Sequence, residues 1–148
     1  MMMINPMSRS KAVILLLFTL LLACPRPAAA AYLLIPMDDT QSNHLKAYGI
    51  AYWVLKKEVE VSWLLNYRGG SFMFQYVKEF DDECRIRGVT AAVIADAQAS
   101  AIIQEIADPQ VNMENVKLLK APRIVVYSPK NKLPWDDAVT LVLTYAEI

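Results

Sequence analysis

Cysteine and histidine are scarce in this sequence, and their scarcity removes several kinds of site at the outset. Only two cysteines and one histidine occur among 148 residues. Structural zinc sites draw four ligands from these residue types at close spacing, and no CxxC or HExxH pair is present. A histidine can act as the general base for a serine nucleophile, but the sequence contains no GxSxG motif that would supply a nucleophile for His44. We therefore expect no metal, no other cofactor and no complete catalytic constellation in this chain.

An excess of basic side chains is absent too. The chain carries 15 lysines and arginines against 15 aspartates and glutamates. Proteins that bind nucleic acid neutralise phosphates with clustered basic residues, often interleaved with aromatic ones. No such cluster occurs here, so nucleic acid is not an expected partner.

The longest uncharged apolar run, Ala12 to Ala23, is too short for a transmembrane helix, which needs about 20 apolar residues. Arg9 and Lys11 precede this run, and two prolines and four alanines follow it. A basic start, a short apolar centre and an exit of small residues are typical of a secretory signal. We predict that residues 1–30 are a signal peptide and that residues 31–148 form one domain. This domain would be located in the periplasm or cell envelope, or it would be secreted.

Two processing sites compete at the end of this signal. Ala28-Ala29-Ala30 has the small-x-small pattern that signal peptidase cleaves. Leu21-Leu22-Ala23-Cys24 resembles a bacterial lipobox, in which Cys24 would carry lipid and anchor the protein to the membrane. We favour cleavage after Ala30, and the lipid anchor stays open. Cys84 then has no partner for an intrachain disulfide, and its helical spacing from Val77 and Phe80 predicts a buried side chain.

Beyond the signal, segments typical of strands alternate with segments typical of helices. The predicted strands are residues 32–36, 59–65, 89–95 and 124–127. The predicted helices are residues 41–57, 75–87, 97–107 and a last one from Trp135 or Asp136 onward. Phe72 to Phe74 reads as a brief edge strand or the start of a helix, and residues 109–122 as a loop or linker. This alternation predicts an α/β fold with a mainly parallel sheet of about four strands and flanking helices.

The predicted parallel sheet places polar residues at one edge, because ligands of such sheets bind beyond the carboxyl ends of the strands. Acidic residues follow the first strand, and Arg68-Gly69-Gly70-Ser71 follows the second. The glycines would let backbone N–H groups converge on an anion, and Arg68 would add donors. We predict that a small ligand or a partner protein binds here, on Asp38, Asp39, Arg68, Gly69, Gly70 and Trp135. The same residue types also cap helices and form turns, so a structural role stays open.

Two stretches of the domain resemble a group of exported bacterial proteins. Tyr32 to Phe74 contains LIPMDDTQSNHLKAYGIAYWVL and WLLNYRGGSF, and Lys120 to Ile148 reads KAPRIVVYSPKNKLPWDDAVTLVLTYAEI. The group has an uncharacterised role, is often labelled asparagine synthetase B, and has members longer than this chain. The resemblance implies an N-terminal fragment. The last predicted helix agrees with this, because no glycine, asparagine or proline ends it.

The synthetase label does not fit the residues themselves. Such an enzyme uses an N-terminal cysteine nucleophile, whereas Met2 follows Met1 here and Cys24 lies behind the signal. Its ATP-binding loop is of the SGGxDS kind, and the chain has only the glycine pair of that motif. We favour an exported, non-catalytic α/β domain that binds at the strand edge. The alternatives are the N-terminal part of an amidotransferase-like or asparagine synthetase-like enzyme, and a structural envelope component.

Overall fold

A computed structural model describes residues 31–127 and 138–148. Its strands are β1 (Ala31–Ile35), β2 (Val61–Leu65), β3 (Ser71–Gln75), β4 (Ala92–Ala95) and β5 (Glu114–Leu118). Its helices are α1 (His44–Lys56), α2 (Lys78–Arg87), α3 (Asp96–Ile106) and α4 (Ala138–Ala146), and a short 3-10 turn spans Tyr67–Gly69. The expected signal peptide, with Cys24, lies outside these ranges.

The prediction of a mainly parallel sheet of about four strands is wrong. The strands form one five-stranded sheet in the order β4-β1-β3-β2-β5, and every neighbouring pair is antiparallel. The reason is β3, the segment around Phe72 to Phe74 that was predicted to be either a brief edge strand or the start of a helix. It lies between β1 and β2 and separates two strands that would otherwise pair in parallel. With β1 to β4, α1 and α2, this gives the split β-α-β arrangement called ferredoxin-like.

The end of the sheet also differs from the prediction. Residues 109–122, expected to be a loop or linker, contain β5, which pairs with β2. Residues 124–127, expected to be a strand, form no strand and are exposed. β5 has the sequence ENVKL, so its polar residues give a weak strand signal. Ile124 to Tyr127 has strong strand propensity but no neighbouring strand among the described residues.

Each face of the sheet carries its own core. On the first face, α1 and α2 cover Leu33, Ile35, Phe72 and Phe74, which are all buried. On the second face, α3 covers a smaller cluster that contains Leu34, Leu64, Met73, Ala99 and Ile106. Cys84 of α2 belongs to the first core, so its predicted burial is confirmed.

The topology brings three loops to one edge. β1 and β2 both end there, and β3 and β4 both begin there, because Ile35 pairs with Phe72 and Leu34 with Ala92. Residues 36–43, 66–70 and 88–91 therefore meet at this edge. The helix that follows residues 36–43 is α1, and α4 packs against it, with Ala146 touching Gly49.

Candidate functional site

Asp38 and Arg68, which the sequence predicts to share a site, are in direct contact. The Nε of Arg68 lies 2.7 Å from Oδ2 of Asp38, and its Nη2 lies 3.2 Å from Oγ1 of Thr40. Hydrogen bonds from the Thr40 side chain and from Arg68 lower the pKa of Asp38 from 3.8 to about 2. The carboxylate is therefore ionised at neutral pH and neutralises the guanidinium beside it.

The two glycines after Arg68 allow two loops to approach each other closely. Gly69 and Gly70 have φ angles of +80° and +93°, which side chains disfavour. A Cβ on Gly69 would overlap the carbonyl group of Met37, whose N–H donates to the Arg68 carbonyl at 3.1 Å. The N–H of Gly70 donates to the Tyr67 carbonyl at 3.0 Å. This N–H group is therefore engaged within the turn instead of pointing towards an anion.

Of the remaining two predicted site residues, only Asp39 lies within the described residues. Asp39 is exposed on the same loop as Asp38. Trp135 lies outside the described residues. The structure thus brings together Asp38, Arg68, Gly69 and Gly70, four of the six residues predicted to bind a ligand.

Gln41 holds two loops together at the same edge. The sequence predicts only that it begins the first helix. Its side chain is 6% exposed. The Nε2 atom donates to the carbonyls of Pro36 at 2.7 Å and Thr90 at 3.1 Å, and Oε1 accepts from the N–H of Thr90 at 2.8 Å. Gln41 therefore ties the loop after β1 to the loop before β4. We call Asp38, Thr40, Gln41, Arg68 and Thr90 the edge cluster.

An open groove of about 650 Å³ lies beside the edge cluster, between the first turn of α1 and α4. We call it the α1–α4 groove, and it is lined by Ser42, Asn43, His44, Leu45, Leu141, Val142 and Tyr145. His44 connects it to the loop that contains Asp38 and Thr40, because its Nε2 lies 3.2 Å from the carbonyl oxygen of Met37 in that loop. The leucines and the valine are exposed apolar side chains, and Leu141 is 67% exposed.

Helix α4 is held in place by its C-terminal end. The hydroxyl of Tyr145 accepts a hydrogen bond of 2.6 Å from Nδ2 of Asn43, and the Lys46 ammonium lies 5.3 Å from the Tyr145 ring centre. Glu147, just past the helix, pairs with Arg87 at 3.2 Å. The first half of α4 instead exposes Val139 and Leu141. A helix that is apolar on most sides is normally buried, so this half is suited to a contact with another molecule.

Cysteine is a residue type that commonly carries catalysis, and Cys84 is a free, buried cysteine. Burial raises the pKa of the Cys84 thiol to about 12, so the thiol stays protonated and unreactive at neutral pH. Within residues 31–127 and 138–148, no group of three histidine, cysteine or acidic side chains is placed to hold a metal ion. In the same ranges, no helix has the length and apolar character needed to span a bilayer.

Comparison of the chain with protein-family models, curated proteins and solved structures finds no match. The resemblance to exported proteins labelled asparagine synthetase B therefore stays a prediction. Any functional conclusion has to come from the chemistry of the surfaces themselves.

Proposed function

We propose that this chain is an exported, non-catalytic binding domain that recognises a partner protein at the edge where β1 and β2 end. The signal-like pattern of residues 1–30 supports export. The observation that carries the binding proposal is the α1–α4 groove, whose apolar side chains are exposed beside the edge cluster. Contiguous exposed apolar surface in a small protein commonly marks an interaction site.

The lining of the groove indicates the chemistry of the partner. Leu45, Leu141 and Val142 supply apolar contact, whereas Ser42 and His44 place polar groups at the start of α1. Interfaces commonly combine an apolar centre with a polar rim. A protein segment that presents two or three apolar side chains on one face, such as an amphipathic helix, fits this arrangement.

The Arg68-Gly69-Gly70 turn supports this site and does not itself bind in our proposal. An anionic ligand would have to displace Asp38 from Arg68, a contact of 2.7 Å. The loop that contains Asp38 also leads into α1. The edge cluster therefore fixes the position of the first turn of α1, which forms one wall of the groove.

A site-specific photo-crosslinking experiment tests the proposal. A photoreactive amino acid is placed at Leu141 in the groove, or at Ile86 on α2, which is 77% exposed and serves as the matched control. Expression in the native host should give one defined adduct from position 141 and none from position 86. The crosslinked protein is identified by mass spectrometry, purified, and titrated against the chain.

The affinity measured in this titration must then depend on residues of the groove. We expect Leu141→Lys to weaken binding at least about tenfold, because a charge replaces an apolar contact at the interface centre. Ile86→Lys should leave the affinity unchanged. Equal adducts from both positions, or equal affinity of Leu141→Lys and the unmodified chain, would contradict the proposal.

The enzyme alternative rests on the sequence resemblance and separates cleanly from this proposal. It treats the chain as the N-terminal part of an amidotransferase-like or asparagine synthetase-like enzyme. Reading the DNA past codon 148 tests it. A downstream cysteine or serine nucleophile elbow with a histidine partner would favour the enzyme, and a stop codon there would count against it.

A further inference from the structure

A second concavity lies on the first face of the sheet, between α1 and the chain that follows β5. Its volume is about 310 Å³ and its lining is almost entirely apolar. We call it the aromatic pocket, and the side chains that line it include Tyr48, Tyr52, Leu55, Trp63, Phe72 and Leu118. None of these residues lines the α1–α4 groove. The aromatic pocket is therefore a separate site from the one proposed above.

Three rings form a continuous wall of this pocket. The Tyr48 and Phe72 rings meet edge to face with centroids 5.5 Å apart, and the Trp63 and Phe72 rings stack at 6.2 Å. The indole N–H of Trp63 donates to the Gly70 carbonyl at 3.1 Å, so the polar atom of that ring is already satisfied. Tyr48 remains 45% exposed even though it packs on Phe72. Tyr48 and Trp63 thus offer apolar ring surface to a ligand on either side of the buried Phe72.

The mouth of the pocket carries positive charge. Lys120 lines the pocket and forms no ion pair with another described residue. An adjoining hollow shares Lys120 and adds Lys56, Arg123 and Glu58. Among the side chains that line this adjoining hollow, the three cations Lys56, Lys120 and Arg123 outnumber the one carboxylate of Glu58. An anionic group would be attracted here, and a cationic group would be repelled.

We infer that the aromatic pocket binds a small, flat, apolar molecule that bears one acid group. Ligand pockets commonly span about 300–1,000 Å³, so this volume suits a single bicyclic ring system. The ring would lie against Tyr48, Phe72 and Trp63. The acid group would point to Lys120. This lysine would fix the orientation of the ligand, as the few polar groups of apolar pockets commonly do.

The probe for the test is 2-naphthoate, titrated into the purified full chain and followed by tryptophan fluorescence. Naphthalen-2-ylmethylammonium has the same ring with the opposite charge and serves as the charge control. We expect 2-naphthoate to bind more tightly than the ammonium compound. Failure of 2-naphthoate to bind at millimolar concentration, or equal binding of both compounds, would overturn the inference.

Two pairs of variants locate the binding. Tyr48→Ala should weaken 2-naphthoate binding about tenfold, because it removes one ring of the wall. Tyr127→Ala removes an 86% exposed ring outside the pocket and should have no effect. Lys120→Glu should weaken 2-naphthoate binding about fivefold and strengthen ammonium binding, whereas Lys78→Glu on α2 should do neither.

The melting temperature of each variant is measured first, so that a loss of binding is not a loss of fold. Tyr48 and Lys120 are exposed enough that both variants should melt close to the unmodified chain. An equal loss from Tyr48→Ala and Tyr127→Ala, or from Lys120→Glu and Lys78→Glu, would also overturn the inference. These outcomes do not depend on Leu141, so they are independent of the partner-binding proposal.

Discussion

The edge cluster and helix α4 lie near each other, but their side chains differ in how far they are engaged with the rest of the protein. In the edge cluster, Gln41 bonds within its own loop and to the loop before β4, and Arg68 pairs with Asp38. In the first half of α4, Val139 and Leu141 are 57% and 67% exposed. The polar residues of this edge are thus engaged with one another and with nearby backbone groups. The surface left for a partner is apolar.

Substitution of Gln41 tests the edge cluster, and we expect it to give the largest loss of stability. Gln41→Ala removes the side chain that bonds to Pro36 and Thr90, and leaves their backbone groups without these partners. Only the bond to the Pro36 carbonyl is fully buried, and an unsatisfied buried group costs about 1–3 kcal/mol. The two part-buried bonds to Thr90 contribute about 1 kcal/mol or less each, so the free energy of unfolding should fall by about 3 kcal/mol in total. Urea denaturation measures this change.

Gln98→Ala is the matched control. Its side chain makes one exposed hydrogen bond, accepted from the Ala95 N–H at 3.1 Å. Loss of such a helix cap costs about 1 kcal/mol. Equal effects of the two substitutions would mean that the edge cluster contributes no more than an ordinary cap.

The next largest effect should come from Gly69→Ala. The new Cβ would overlap the Met37 carbonyl, and the backbone has a φ of +80°. Strain and overlap together should lower the free energy of unfolding by about 2 kcal/mol. Gly88→Ala has a similar φ of +68° but open space around its Cβ, so it should cost about 1 kcal/mol. The difference between the two measures the close approach of the loops.

The packing of helix α4 against α1 can be tested by a substitution at Gly49. Gly49→Ala improves the helix propensity of α1 by about 1 kcal/mol, yet its Cβ would overlap the backbone of Ala146. Overpacking costs about 1–3 kcal/mol, so we expect a net loss of about 1 kcal/mol. Hydrogen exchange should show α4 losing protection while β1 and β3 keep theirs. A rise in melting temperature with unchanged exchange would show that α4 does not pack on Gly49.

Local patterns predicted much of the secondary structure, and long-range contacts account for most of what they missed. Gly88 marked the end of α2 correctly, since its φ of +68° is the conformation that glycine adopts most easily. The position of β3 was missed because Phe72 to Phe74 is short, and its place between β1 and β2 depends on pairing with residues far along the chain. Asp38 and Arg68 were predicted to lie at one edge of the sheet, and they do so because β1 and β2 both end there. The parallel pairing assumed for it was wrong.

Gln41 and the α1–α4 groove show the same limit. A glutamine near a helix start carries no signal that its amide reaches Thr90, 49 residues away. The apolar pattern of residues 139–142 predicted a helix but not that its first half would stay exposed. Exposure depends on which elements cover a surface, and one sequence alone does not specify them.

The smallest expected effect concerns the pH dependence of the Asp38–Arg68 pair. The pKa of Asp38 is lowered from 3.8 to about 2 in the folded protein. A lowered folded-state pKa contributes stability at pH values above 3.8, and this contribution is lost as the pH falls towards 2. Asp38→Asn should therefore show a smaller fall in melting temperature across that interval than the unmodified chain. Asp39→Asn, on the exposed neighbour, should follow the unmodified chain, and identical slopes for all three proteins would mean that the ion pair does not contribute to stability.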